Sequence, residues 1–336
     1  VVACEAPPPP SLDQIQARAV AIEEPEFDTA RRDEPGYMEI HLAARRGALQ
    51  QKAAILLDAV RYHPQDPLLP ELLNQRWEIL ARSSDHADEG EAFLADIEAV
   101  LGEVSQPDAV RHGAYWRTLV RMRQASDHGD AVLAAVLEFI GAHPQDRRGA
   151  TLLQQVTDHP AVSPENARTA WQRIADGYQR TYWGPYAPGQ VRRIDEARQP
   201  FEFRFETFRE GREISSETLA GKVVVVDFWA TTCAPCVTAL PEMRRLYAEY
   251  RDQGVEFVGI SLDESEERGG RERIVEFLEE YDVPWPIYYQ GNGYASDLSL
   301  SWGVGGIPEV FLLDRNGRLV TTEARGRLAE LIPELL

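Results

Sequence analysis

Between Glu39 and Tyr182 apolar residues recur every three or four positions, the period of helix faces turned toward a core. Leu49, Ala53, Leu56 and Val60 make one stripe, and Leu69, Leu73, Trp77 and Leu80 make the next. Phe93, Ile97, Val100 and Val104 follow, then Val132, Val136 and Ile140, then Trp171, Ile174 and Tyr178. Short breaks at Arg82–Glu89, Ser105–Asp108 and Ser126–Asp130 separate the stripes. No strand-like alternation competes with them. After Pro200 the period changes to two: Phe201, Phe203 and Phe205 alternate with Glu202, Arg204 and Glu206, as in a half-buried strand. Val223–Val226, Phe228 and Trp229 then make a stretch that is apolar except at Asp227, the pattern of a strand covered on both faces. The spacing predicts two domains. Residues 1–38 read as N-terminal segment and linker, 39–183 as an all-α domain, 184–199 as a joint and 200–336 as an α/β domain.

The helical part carries a weak internal repeat. His63-Pro-Gln-Asp66 returns 80 residues later as His143-Pro-Gln-Asp146, each time after an apolar helical segment and before a Leu-Leu pair. A proline followed by an Asp that caps the next helix accounts for the motif as a turn. His63 and His143 therefore read as turn residues rather than metal ligands. The helix–Pro–Asp–helix pattern resembles tetratricopeptide-like hairpin arrays, which implies either a partner-binding surface or a spacer. In the joint, Tyr182-Trp-Gly-Pro-Tyr-Ala-Pro-Gly189 combines aromatics with turn formers and reads as packed chain.

Charge narrows the partners. The formal net charge is −20, and Lys52 and Lys222 are the only lysines. A nucleic-acid surface needs clustered basic residues, so none is expected. No apolar run approaches the roughly 20 residues that span a bilayer.

The chemistry concentrates after the valine run. The strand leads through Ala230-Thr-Thr232 into Cys233-Ala-Pro-Cys236, at what reads as a helix start. A helix N-terminus is electropositive and stabilises a thiolate on the first cysteine. The second lies one turn on, close enough to close a disulfide. Zinc would need about four ligands. The third cysteine, Cys4, sits far away in a proline-rich tail, and the C-terminal third has no histidine. The arrangement describes a thiol–disulfide exchange site.

Asp227-Phe-Trp-Ala230 before the cysteines, Pro235 between them and Pro241 after them resemble a thioredoxin active-site strand and kinked helix. Gly306-Ile-Pro-Glu-Val-Phe-Leu-Leu-Asp314 is similar to the cis-proline loop of that superfamily and the strand behind it. The stretch Gly254–Ser265, a helix around Arg271–Tyr281 and a short strand at Trp285–Tyr289 resemble the TlpA/ResA-like branch of extracytoplasmic thiol–disulfide oxidoreductases. The expected fold class is thus an N-terminal all-α helical hairpin array plus a C-terminal α/β thioredoxin-like domain.

The resemblance implies roles. Cys233 attacks a substrate disulfide and Cys236 resolves the mixed disulfide. Ile307-Pro308, if cis, lies across from Cys233 and lets residue 307 pair with an extended substrate segment; Thr232, Ala234 and Pro235 complete the substrate surface. Asp227 matches the buried aspartate of cytoplasmic thioredoxins, a candidate acceptor for the Cys236 proton. Glu264 matches an acid near the ResA-like site, though Asp263, Glu266 and Glu267 surround it as in a solvated loop. Thr232 departs from the family, which usually has Trp there, and this opens the site. The C-x-P-C form leans toward a reductant. No cofactor or metal is expected beyond a redox-active Cys233–Cys236 disulfide. The partners implied are a disulfide-containing protein and an upstream thiol reductant, with a membrane electron donor as one candidate.

Val1-Val-Ala-Cys4 resembles the end of a bacterial lipoprotein signal, and the chain opens without Met, as a processed precursor would. Lipidation at Cys4 implies a membrane-anchored, extracytoplasmic protein with Pro7–Pro10 as a stiff spacer. An incidental cysteine, or a redox partner of Cys233, are the alternatives. Two other functions stay open: a helical scaffold with an accessory redox domain, and a thiol peroxidase. The peroxidase's Pro-x-x-x-Thr before the cysteine is absent, since Phe-Trp-Ala-Thr-Thr precedes Cys233.

Overall fold

A capping box starts the first helix: Gln14 N–H donates to the Ser11 hydroxyl, and Ser11 N–H donates to the Gln14 side chain. The computed structural model describes residues 8–83, 89–125, 127–195 and 200–336. Cys4 and the segment before Pro8 lie outside the described residues. The chain forms two compact units; one reaches Leu152 and takes in Asp158–Val162, and the other holds Leu153–Thr157 and Ser163–Leu336.

The first unit is helical: α1 (Leu12–Val20), α2 (Tyr37–Tyr62), α3 (Leu69–Ser83), α4 (Glu89–Glu103), α5 (Pro107–Gln124), α6 (Gly129–Ala142) and the first part of α7 (Arg148–Thr157). Its core joins Leu56, Leu69, Leu73, Trp77, Phe93, Ile97 and Val100, the residues of the predicted stripes. The stretch expected to be linker carries α1, whose Leu12, Ile15 and Ala19 enter that core. Nine residues, only three of them buried, give too short a period to stand out from a tail.

The repeated tetrapeptide forms the same turn twice. His63 and His143 end α2 and α6 with nearly equal dihedrals, φ −136° and ψ 49° against φ −132° and ψ 61°. Asp66 and Asp146 each accept the backbone N–H two residues on, from Leu68 at 2.9 Å and Arg148 at 3.0 Å. The copies differ in burial. Asp146 is buried and paired with Arg111 and Arg148, whereas Asp66 is partly exposed.

The second unit opens with α8 (Pro164–Gly177), capped by Ser163 with Pro164 in its first turn, and α9 (Ala187–Asp195). The sequence bounds put α8 in the helical domain and α9 in the joint, because periodicity reveals a buried face without revealing what covers it. The α/β fold follows: β1 (Arg204–Glu206), β2 (Glu213–Ser215), β3 (Val223–Trp229), α10 (Ala234–Tyr250), β4 (Val255–Ser261), α11 (Gly270–Glu280), β5 (Ile287–Tyr289), α12 (Asp297–Ser301), β6 (Glu309–Leu313), β7 (Leu319–Thr321) and α13 (Leu328–Leu335). The main sheet has the order β5-β4-β3-β6-β7, with β3 parallel to β4 and antiparallel to β6. Every residue of β3 is buried, Asp227 included, as the mostly apolar stretch predicts for a central strand.

Successive β3 side chains enter opposite layers. Val223, Val225 and Trp229 pack with Cys236, Leu240 and Met243 of α10 and with Ile274 and Phe277 of α11. Val224, Val226 and Phe228 pack with Phe201, Phe203, Phe205, Trp302 and Phe311. The three phenylalanines alternate into the core as predicted, although only Phe205 lies within a strand.

Candidate active site

The alternation along β3 decides where Asp227 points. It shares the parity of Val225 and Trp229, so its carboxyl belongs to the layer that holds α10. There it lines a small cavity with Cys236, Glu242, Met243, Pro308 and Arg325. The room for water centres is about 20 Å³, enough for one water molecule. Burial pushes the Asp227 carboxyl up to about 7, and the Arg325 guanidinium opposes part of that rise.

Cys233 is the N-cap residue of α10, in extended backbone at φ −87° and ψ 91°. Its Sγ accepts the Cys236 N–H at 3.3 Å, so one backbone donor at the helix start is directed at the sulfur. Cys233 and Cys236 are joined by a disulfide. Pro235 fits the first turn because an N–H there has no helical partner to lose. The two sulfurs differ in access. Cys236 is 6% exposed, Cys233 is half-buried, and Thr232, Ala234 and Pro235 around them are exposed.

The Ile307–Pro308 bond is cis. The two residues face different spaces. Pro308 lines the Asp227–Cys236 cavity, whereas Ile307 borders an open cleft of about 930 Å³ with Thr232, Glu264, Tyr186 and Tyr294. The candidate residues Cys233, Cys236, Asp227, Thr232, Ala234, Pro235, Ile307 and Pro308 thus gather at the C-terminal end of β3 and the start of α10.

Glu264 reaches only the cleft wall. Its carboxylate is well exposed and pairs with Arg268 at 3.0 Å. The buried acid of that loop is its neighbour Asp263, which accepts the Thr231 N–H at 3.1 Å and the Ser261 hydroxyl at 2.8 Å. Asp263 therefore holds the loop that presents Cys233. The parallel register Trp229↔Ser261 brings the two loops side by side, and nothing short of that register singles out Asp263 in a run of acids. Arg325 was also missed. It lies far along the chain, donates to the Pro235 carbonyl at 3.4 Å and lines the Asp227 cavity.

Part of the chain is similar to known proteins. Residues 197–322 match the model of the AhpC/TSA family. The thiol-disulfide oxidoreductase ResA of Oceanobacillus iheyensis is 40% identical over 102 residues, which are 30% of this chain and 48% of that protein. The ResA of Bacillus cereus is 32% identical over 111 residues, 33% of this chain and 60% of that protein. The chain thus spans about half to three-fifths of these two relatives. Among solved structures, the thioredoxin domain of a thiol-disulfide oxidoreductase from Bacteroides vulgatus is similar at 26% identity and TM-score 0.34, over 40% of this chain and 90% of that one. A thiol-disulfide oxidoreductase from Bacteroides fragilis matches at 24% identity and TM-score 0.36, over 40% and 98%. The C-terminal region is a TlpA/ResA-like domain of the thioredoxin superfamily.

Proposed function

We propose that the protein is a thiol–disulfide oxidoreductase that reduces disulfides in polypeptides through the Cys233–Cys236 dithiol. The observation that carries this reading is the unequal access of two sulfurs on one helix turn, with the outer sulfur facing a backbone N–H. In the reduced protein the Cys233 thiolate attacks one sulfur of a substrate disulfide. That S–S bond breaks, a mixed disulfide forms, and the other substrate sulfur leaves as thiolate. Cys236 then gives its proton to the Asp227 carboxylate and attacks Cys233 Sγ. The protein disulfide closes, the second substrate thiolate leaves, and two electrons have passed to the substrate. An upstream thiol reductant reopens the Cys233–Cys236 bond.

A carboxyl poised near neutrality suits this step, because it is ionised often enough to accept the proton and basic enough to hold it. Ile307 and Thr232, on the shared cleft, offer an edge for an extended substrate segment. The Val1-Val-Ala-Cys4 resemblance supports an extracytoplasmic site of action with acylation at Cys4. Membrane partitioning that survives Cys4→Ser would refute that anchor. Among the described residues no helix is long and apolar enough to cross a membrane.

The test is paired. Cys233→Ala should abolish disulfide reduction, and Cys236→Ala should accumulate mixed disulfides with its substrates. If Cys236 proved the faster-alkylated thiol of the reduced wild type, the roles would be reversed.

A further inference from the structure

The second unit contains more than its α/β fold, and several bonds tie the additional part to the chain around Pro308. Tyr182 Oη donates to the Gly305 carbonyl at 2.5 Å, and Gln190 Nε2 donates to the Gly303 carbonyl at 2.8 Å. Arg193 Nε donates to the Trp302 carbonyl, and its Nη1 reaches Glu309 Oε1 at 2.6 Å. These bonds bracket the run from Trp302 to Glu309, with Ile307 and Pro308 between the contacts. Backbone approaches backbone here. A Cβ on Gly189 would stand 2.1 Å from the Gly303 nitrogen, and one on Gly305 would meet the Trp183 ring at 3.0 Å. Gly303 itself sits at φ +63°, which favours glycine.

The Arg193–Glu309 pair is largely buried, at 11% and 22% exposure. Burial raises the Glu309 carboxyl, and Arg193 opposes the rise. An arginine that satisfies a carbonyl on one side of the proline and a carboxylate on the other fixes both ends of the loop. Tyr186, from the same segment, continues the cleft wall beside Ile307.

We propose that Tyr182, Gln190 and Arg193 are positioning residues for polypeptide substrates. They set the 303–307 backbone at the lip of the cleft, so that the chain flanking a substrate cysteine is held against Ile307 while its sulfur meets Cys233. This rests on the redox reading above and adds which disulfides benefit. A small disulfide needs only to reach Cys233 Sγ and gains nothing from the clamp. A polypeptide disulfide, held along its backbone, depends on it.

The experiment uses the full chain, reduced by dithiothreitol, with insulin as polypeptide disulfide and 5,5′-dithiobis(2-nitrobenzoate) as small disulfide. Tyr182→Phe, Arg193→Gln and Arg193→Lys are compared with wild type. For Arg193→Gln the KM for insulin should rise about ten-fold, the scale of one charge-assisted hydrogen bond lost, with kcat within about two-fold. Tyr182→Phe, which removes one hydroxyl, should raise it by about three-fold. Arg193→Lys should recover part of the loss, because an ammonium can still pair with Glu309. Reaction with the small disulfide should stay within about two-fold throughout, and the Ile307 amide should exchange faster in both the Phe and Gln variants. If Arg193→Gln fails to fold, Tyr182→Phe and Arg193→Lys decide. An unchanged insulin KM, or an equal loss on both substrates, would overturn the clamp. A wild type active on the small disulfide alone would overturn the polypeptide assignment and leave the redox reading standing. A wild type inert to both would remove both.

Discussion

Asp227 opposes stability at the same place where the reading proposed above uses it as a proton acceptor. Its carboxyl titrates at about 7 in the folded chain, against 3.8 ordinarily, so between those values the folded chain holds a proton that the unfolded chain has released. Stability therefore falls as pH rises across that window, and above it the full cost of a buried charge is present. Asp227→Asn should raise stability at pH 8 by as much as roughly 3–4 kcal/mol, with little gain at pH 4, as checked by denaturant unfolding at both values. The same variant should turn over disulfides more slowly at pH 8, by about 10²-fold, the lower end of what a positioned base contributes. The wild-type rate should rise through pH 7, and the variant's should not. A profile shared by both proteins would take Asp227 out of the mechanism. The Arg325 guanidinium opposes the rise, and nothing in its place along the chain announces this. The carboxylate was legible from its place in Asp-Phe-Trp-Ala, whereas its cationic neighbour reaches the cavity only through the fold.

At the scale of elements, the two His-Pro-Gln-Asp turns make a controlled comparison. Their backbone geometry is the same, and that much was legible in the repeat. Their energetics are not, because Asp146 meets Arg111 and Arg148 in a buried setting. Burial raises the Asp146 carboxyl, but hydrogen bonds and charge from Arg148 and Arg111 outweigh it and hold the group down at about 2. Asp146→Asn should cost about 3 kcal/mol at pH 7, since it leaves two arginines without their shared carboxylate. Asp66→Asn should cost well under about 1 kcal/mol, because Asn caps nearly as well. Thermal melts of the two variants check the difference. The Asp146 contribution should be complete above about pH 4 and disappear as pH falls toward 2. Identical tetrapeptides gave no hint of this, because the arginines that distinguish them lie outside the motif. The strands tell the same story from the other side: β3 was plain as an apolar run, but its central place depends on β6, more than seventy residues later in the chain.

For the molecule as a whole, the periodicities separate a helical part from an α/β part, but they group α8 with the helical part and leave α9 in the joint, whereas both belong to the second compact unit. Amphipathic spacing in α8 and α9 announces an apolar face and is silent about its partner. The family match begins at residue 197, yet the compact unit takes in the chain from Ser163. A fragment 163–336 should therefore fold cooperatively. A fragment 200–336, lacking Tyr182, Gln190 and Arg193, should be weaker by at least about 2–3 kcal/mol, at about 1 kcal/mol for each hydrogen bond. Denaturant midpoints of the two fragments decide it, and equal midpoints would show that α9 only rests on the fold.

The clamp also has a direction in time. Chains are made from the N-terminus at roughly 5–20 residues per second. Tyr182, Gln190 and Arg193 are thus synthesised first, the two cysteines next, and Pro308 and Arg325 only after roughly seventy to ninety more residues, a delay of about 4 to 18 seconds. Throughout that interval Cys233 and Cys236 lack the proline and arginine that later close over Asp227, and the clamp has nothing to hold. The nascent chain therefore carries both cysteines before the residues that line the Asp227 cavity with Cys236 have been made. That cavity can close only once the strand behind Pro308 has joined the sheet.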